Sequence, residues 1–171
     1  MKIVLCIIVA LVIFNGIANA QISQGTIAVS TGTNLNYSSS SYKGSDTKLN
    51  QFNLNLTGGY FFAQNFIIGA GIAYSSTNYK SSSYDYDTKS TTFSIFSRYY
   101  INGAFFLGIG YGSVKYEDLD ALNELDFQVG YAAFISDNIS IEPSLNYGLG
   151  LGDNEGNTFL VNLGFGLYLN R

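Results

Sequence analysis

The sequence contains no histidine and no tryptophan, one proline, one cysteine, and charged residues amount to only 12%. Without histidine the chain lacks the usual general base and the commonest metal ligand. The single cysteine, Cys6, lies in an N-terminal apolar run, so the rest of the chain has neither a disulfide framework nor a thiol nucleophile. No basic cluster occurs, and the net charge is negative. That balance argues against nucleic acid and against anionic membrane surfaces as partners. Together these absences point away from an enzyme and away from any bound cofactor.

What is present is apolar and aromatic. Aromatics reach 16% and glycine occurs 19 times, a combination unusual for a domain that faces water. The first twenty residues stand apart. Lys2 precedes an unbroken apolar run from Ile3 to Phe14, and Ala18-Asn19-Ala20 forms an A-x-A site before Gln21. This pattern predicts a cleaved export signal over 1–20, with Ala18 and Ala20 at the cleavage site. The run is too short for a spanning helix of ~20 residues. Cleavage leaves one domain over 21–171, with a formal charge of −5: the 8 basic residues less Lys2, against 12 acids.

Across that domain the period is two, and eight segments each keep their apolar residues on one parity. Segment two, for example, sets Phe52, Leu54, Leu56, Tyr60 and Phe62 against Gln51, Asn53, Asn55, Thr57 and Gly59. Segment eight sets Phe159, Val161, Leu163, Phe165, Leu167 and Leu169 against Asn162, Gly164 and Gly166. No charge falls on the apolar parity of any segment, whereas Arg98, Asp126 and Glu142 all fall on the other. Hydrocarbon makes this demand, because a charge on a barrel's lipid face costs about 2–4 kcal/mol at mid-depth. The second parity is rich in Gly, Ser and Asn, which suits the cramped lumen of a small barrel.

Connections alternate in length. Short ones fall at 63–65, 101–103 and 136–138, and long ones at 38–49, 76–90, 116–124 and 150–157. Three turns and four loops in that order predict an all-β, eight-stranded antiparallel up-and-down transmembrane barrel with both termini in the periplasm. Apolar-parity aromatics form two levels, Tyr37, Tyr74, Phe93, Tyr111 and Tyr147 toward the loops and Tyr60, Phe62, Phe66, Tyr99 and Phe105 toward the turns, as interfacial girdles do. Pro143 cannot donate to a ladder, which predicts a bulge or a lost bond there.

These residues resemble the small outer-membrane β-barrel family of the OmpA/OmpX type, common in Bacteroidetes. The similar stretches are FFAQNFIIGAGIAYSS (61–76), FSRYYI (96–101) and NLGFGLYL (162–169). The last looks like an assembly signal met by Asn162, Gly164, Leu167 and Leu169, although Asn170-Arg171 follow where an aromatic usually ends the chain. The resemblance implies outer-membrane lipids and the outer-membrane assembly machinery as partners, a monomer, and a structural, adhesive or surface-interaction role. Related outer-membrane acyl-transferring, deacylating and omptin-type protease barrels use histidine, which this chain lacks.

Two inner-parity sets are candidate functional residues. Arg98, Glu142 and Asp126 form a charge network, with Glu142 the better-levelled partner of Arg98. It reads as a static interior network, or as a gate whose salt bridge swaps partners and opens a pore. Phe61, Ile67, Phe96, Tyr100, Phe106, Phe134 and Tyr168 cluster toward the periplasmic end as an apolar plug. Gly108, Gly110 and Gly112 lie inside an alternating strand with no helix after them, so they make no dinucleotide loop. Residues 153–157 carry alternating oxygen ligands but lack a full calcium-loop pattern, and read as a solvated turn. The Ser/Tyr repeats at 37–45 and 78–88 resemble adaptable binding surfaces. The expectation is a non-enzymatic outer-membrane protein acting through its four extracellular loops, possible ligand included. A narrow gated pore and a secreted lipocalin-like barrel are the alternatives.

Overall fold

The structure, a computed structural model, describes residues 21–29, 34–41, 48–81, 84–117, 120–152 and 156–171. The expected export signal, with Ala18 and Ala20, therefore lies outside the described residues, as do 153–155 of the candidate calcium turn.

The strands are β1 (Ile27–Val29), β2 (Asn34–Ser41), β3 (Lys48–Ala63), β4 (Phe66–Ser81), β5 (Tyr84–Ile101), β6 (Phe105–Tyr116), β7 (Leu122–Tyr131), β8 (Ala133–Phe134), β9 (Ile139–Leu151) and β10 (Asn157–Leu169). They make eight antiparallel staves, with β1 and β2 sharing the first and β7 and β8 the sixth. Each stave bonds its sequence neighbour, and β1 closes the ring by pairing both β10 (Ile27 with Leu169) and β3 (Ile27 with Tyr60). Above Val29, β2 pairs with β3 in a register shifted by two residues, which preserves which face each side chain takes. Among the described residues, the first stave meets β10 only at Ile27–Val29, and the inner-parity Leu160 higher on β10 is 49% exposed.

The apolar parity faces outward throughout. Ile95, Leu107, Val129, Leu145 and Leu163 are all exposed, and so are nine of the ten girdle aromatics, Phe66 being half-buried. The buried residues lie inside, at the short-turn end. Tight turns set that end: Asn65, Asn102 and Gly103 take positive φ, a conformation that asparagine and glycine tolerate.

Pro143 stays in register with Leu163 on β10. On its other side the ladder to the sixth stave stops at Gly130–Ser144 and resumes at Ala133–Ile141 in unchanged register. The missing donor therefore interrupts a ladder and splits β7 from β8, with no bulge.

The loop expectations need correction. Much of 38–49 and 76–90 is strand: β4 and β5 remain paired from Phe66–Tyr99 to Ser81–Tyr84. A strand tilted ~40° climbs ~2.5 Å per residue, so ~10 residues cross the ~25 Å apolar band. The 16 residues of β3 and of β4 and the 18 of β5 overshoot it. β7, β9 and β10, with 10, 13 and 13 residues, end nearer its edge. One wall of the barrel thus stands ~15 Å taller than the band. Alternation of polar with polar carries no visible period, which is why this extension reads as loop in the sequence.

An arginine at outward-facing Ile95 should cost about 2–4 kcal/mol of stability, and one at Ser113, above the girdle residue Tyr111, about 0–1 kcal/mol. Urea titration of the compact gel band in lipid vesicles measures both. Equal losses at the two heights would contradict the outward band.

Candidate functional site: the plugged base and its buried ion pair

The inner face of the short-turn end is packed with rings. Phe61, Ile67, Tyr100, Phe106 and Tyr168 are each at most 1% exposed, and Phe96 and Phe134 pack against them. Phe61 stacks at a tilt on Tyr100 (5.6 Å) and Tyr168 (6.1 Å), Tyr100 on Phe106 (5.3 Å), and Phe134 on Tyr168 (5.0 Å). All seven expected plug residues therefore share one cluster. Glycines on neighbouring staves make room for the rings. A Cβ at Gly130 would strike the Phe106 ring, and one at Gly69 the Phe96 ring.

The cluster also holds residues that alternation does not reveal. The segment before β1 turns into the barrel's base, where Ile22 and Thr26 are fully buried. Its backbone is tied down at both ends: Ile22 N–H donates to Asn65 Oδ1 (2.9 Å), Asn65 N–H returns a bond to Ile22 O (3.0 Å), and Gly25 N–H reaches Phe61 O (3.0 Å). Ala28 and Ala132 complete the cluster.

Against these rings sits the ion pair. Arg98 Nη1 lies 3.4 Å from Glu142 Oε2, with the side chains 9% and 1% exposed. The other carboxylate oxygen, Oε1, accepts from Ser140 Oγ and from Tyr168 OH, both at 2.6 Å. Since the Tyr168 proton is committed to Glu142, the 3.2 Å contact between the two phenols runs from Tyr100 OH to the Tyr168 oxygen. Arg98 lies against the rings of Phe106 (4.9 Å) and Phe96 (5.1 Å), so its cation is met by π faces as well as by a carboxylate. Gly166 allows the close approach, because a Cβ there would strike Glu142 Oε1. Ser140 was legible only as an inner-parity polar residue beside Glu142, and the phenol relay had no signal in the sequence.

Asp126 does not join this pair. It lies opposite Gly110 and Gly148, and its charged neighbour is Glu124, two residues away on the same inner face. The sequence pattern places Glu124 in the connection 116–124. It lines the lumen because β7 begins at Leu122. The remaining sequence-singled residues are on β10: Gly164 is buried, Asn162 is exposed, and Leu167 and Leu169 face outward at 41% and 42% exposure.

A closed ring of eight antiparallel staves, apolar outside and filled inside, defines a small transmembrane β-barrel. No protein-family model matches the chain, and no curated protein matches it. Solved structures do. The Pseudomonas aeruginosa outer membrane protein OprG matches with a TM-score of 0.50 and 15% identity, over 86% of this chain and 93% of that one. The Yersinia pestis outer membrane protein Ail, in a phospholipid bilayer nanodisc, matches with 0.49 and 18% identity, over 86% of this chain and all of that one. At such identities what this chain shares with OprG is the fold, that of a small eight-stranded outer-membrane barrel.

Removing Arg98 alone should cost about 3–5 kcal/mol, because Glu142 is left charged, buried and without its cation. Combining Arg98→Met with Glu142→Gln should recover most of that loss. Urea unfolding of both variants in micelles measures it, and a double variant no more stable than Arg98→Ala would show that the two charges are not coupled.

Proposed function

We propose that this protein is a non-enzymatic outer-membrane barrel of a Gram-negative cell, exported by the N-terminal signal over 1–20, whose work is surface interaction. The observation that carries the reading is the tall wall formed by β2–β5. Its upper part is polar and lies beyond the apolar band, with both of its lateral edges open among the described residues. Beyond Asn34–Ser41 with Lys48–Asn55, β2 pairs with nothing else, and β5 has no ladder to β6 beyond Lys89, whose carbonyl still accepts from Glu117 N–H. Polar strand faces with open edges suit recognition of an extracellular protein or glycan.

The pore reading is weaker. Seven large side chains and the N-terminal segment fill the base, and the Arg98–Glu142 pair packs against them. A swap of Arg98 toward Asp126 would leave Glu142 buried without a cation. A soluble lipocalin-like barrel is disfavoured by outward apolar residues such as Ile95 at 62% and Phe93 at 60% exposure.

Replacing residues 77–88 with a two-residue turn should leave a heat-modifiable barrel but abolish attachment of bacteria displaying it to host or partner surfaces. Unchanged attachment would overturn the assignment to this wall. In planar bilayers the intact protein should give no steady channel; a steady conductance lost in Arg98→Ala would favour the pore.

A further inference from the structure

The register gathers lysines that the sequence scatters. Lys48, Lys80, Lys89 and Lys115 lie on four different stretches of strand, yet all take the outward parity. Each stands above the loop-side girdle, in the rows that follow Phe52, Tyr74, Phe93 and Tyr111. They are four of the seven basic residues outside the N-terminal run. Their face is the one that continues directly up from the lipid band.

Two of them border a notch. Lys115 lies opposite Thr91, and Lys89 is two residues further along β5, diagonal to it. Diagonal neighbours on one sheet face are ~7–8 Å apart, within reach of long side chains converging on one group. The notch is an open groove of about 270 Å³, with Tyr74 beside Thr91 and with Lys89, Lys115 and Glu117 around it. Lys89 contacts Glu117 at 3.2 Å, but both side chains are exposed (44% and 58%). An exposed pair of this kind contributes little, so a stronger anion can displace it.

A second lysine pair stands higher on the same face, near the tip of the wall. Lys48 and Lys80 are direct register partners with both side chains exposed. Asp85 is the other direct register partner of Lys80, so a carboxylate of the chain already stands beside this pair. Acidic residues Asp85, Asp87 and Glu117 share the face, leaving an excess of one positive charge, so the binding is local to the Lys89–Lys115 pair rather than a broad field.

We propose that the Lys89–Lys115 notch holds a phosphate of an outer-leaflet lipid headgroup. The inference rests on the reading that the barrel sits in an outer membrane. Height and direction select a lipid over a soluble anion. Both lysines face outward four residues beyond the girdle residues of their own strands, Phe93 and Tyr111, and a lysine with its stem along the apolar wall extends its ammonium into the headgroup layer.

The test uses the full barrel refolded in phosphatidylcholine nanodiscs doped with diphosphoryl lipid A, with retained lipid A read by native mass spectrometry. Lys89→Gln combined with Lys115→Gln should lower retention about tenfold, at roughly fivefold or less per lysine. Glu117→Gln should raise retention, since it frees Lys89; a purely structural ion pair would give no gain. Dephosphorylated lipid A should bind the wild type no better than the double variant. Retention unchanged in the double variant, or insensitive to the phosphates, overturns the proposal. So does full competition by millimolar inorganic phosphate, which would mark a site for soluble anions. Heat-modifiable migration of every variant is scored in parallel, so a barrel that fails to fold or insert is seen as failure of the membrane reading and not of the headgroup contact.

Discussion

Inside hydrocarbon no water is available to a backbone amide, so every N–H and C=O of a spanning segment must find a partner within the protein. This constraint shapes the molecule. It forces the eight staves into a ring, and it gives the three residues of β1 an importance beyond their number, since they bond both β10 and β3. It also explains why Pro143 is handled by an interruption opposite a short β8 rather than by a slip. A one-residue slip would turn every outward side chain of the stave inward.

Closing only eight staves leaves a lumen barely wide enough for side chains. The interior is therefore a packing problem, solved by pairing rings with glycines across staves, Phe106 with Gly130 and Phe96 with Gly69. The same narrowness makes a buried charge tolerable only when its partners are supplied. Glu142 has three: Arg98, Ser140 and Tyr168. Phenols that belong to the apolar cluster also serve the carboxylate, so plug and ion pair are one structure. The N-terminal segment around Ile22 seals what the staves leave open.

Outside, the chain divides by height. Within the band the outward face is uncharged; above it the same parity carries Lys48, Lys80, Asp85, Asp87, Lys89, Lys115 and Glu117. Net charge argued against anionic membrane surfaces, but net charge is blind to position. Strand register, which aligns Lys48 with Lys80 and brings Lys89 diagonal to Lys115, puts the lysines on the face nearest the lipid.

The sequence alone determined the number of staves, the face each side chain takes, the charge-free band and the seven large side chains of the plug, because a period of two and the cost of charge in lipid are local rules that act on every residue. Asn65 and Asn102-Gly103 marked their turns for the same reason. Tertiary structure alone decided what depends on which stave lies beside which, and at what height. The Arg98–Glu142 distance, the Tyr100–Tyr168–Glu142 relay, the company Asp126 keeps with Glu124, and the burial of Ile22 all follow from register and closure. So does the tall wall. Strands of Ser, Tyr, Asn and Asp carry no apolar period, and their pairing is inherited from the membrane-spanning ladder below them.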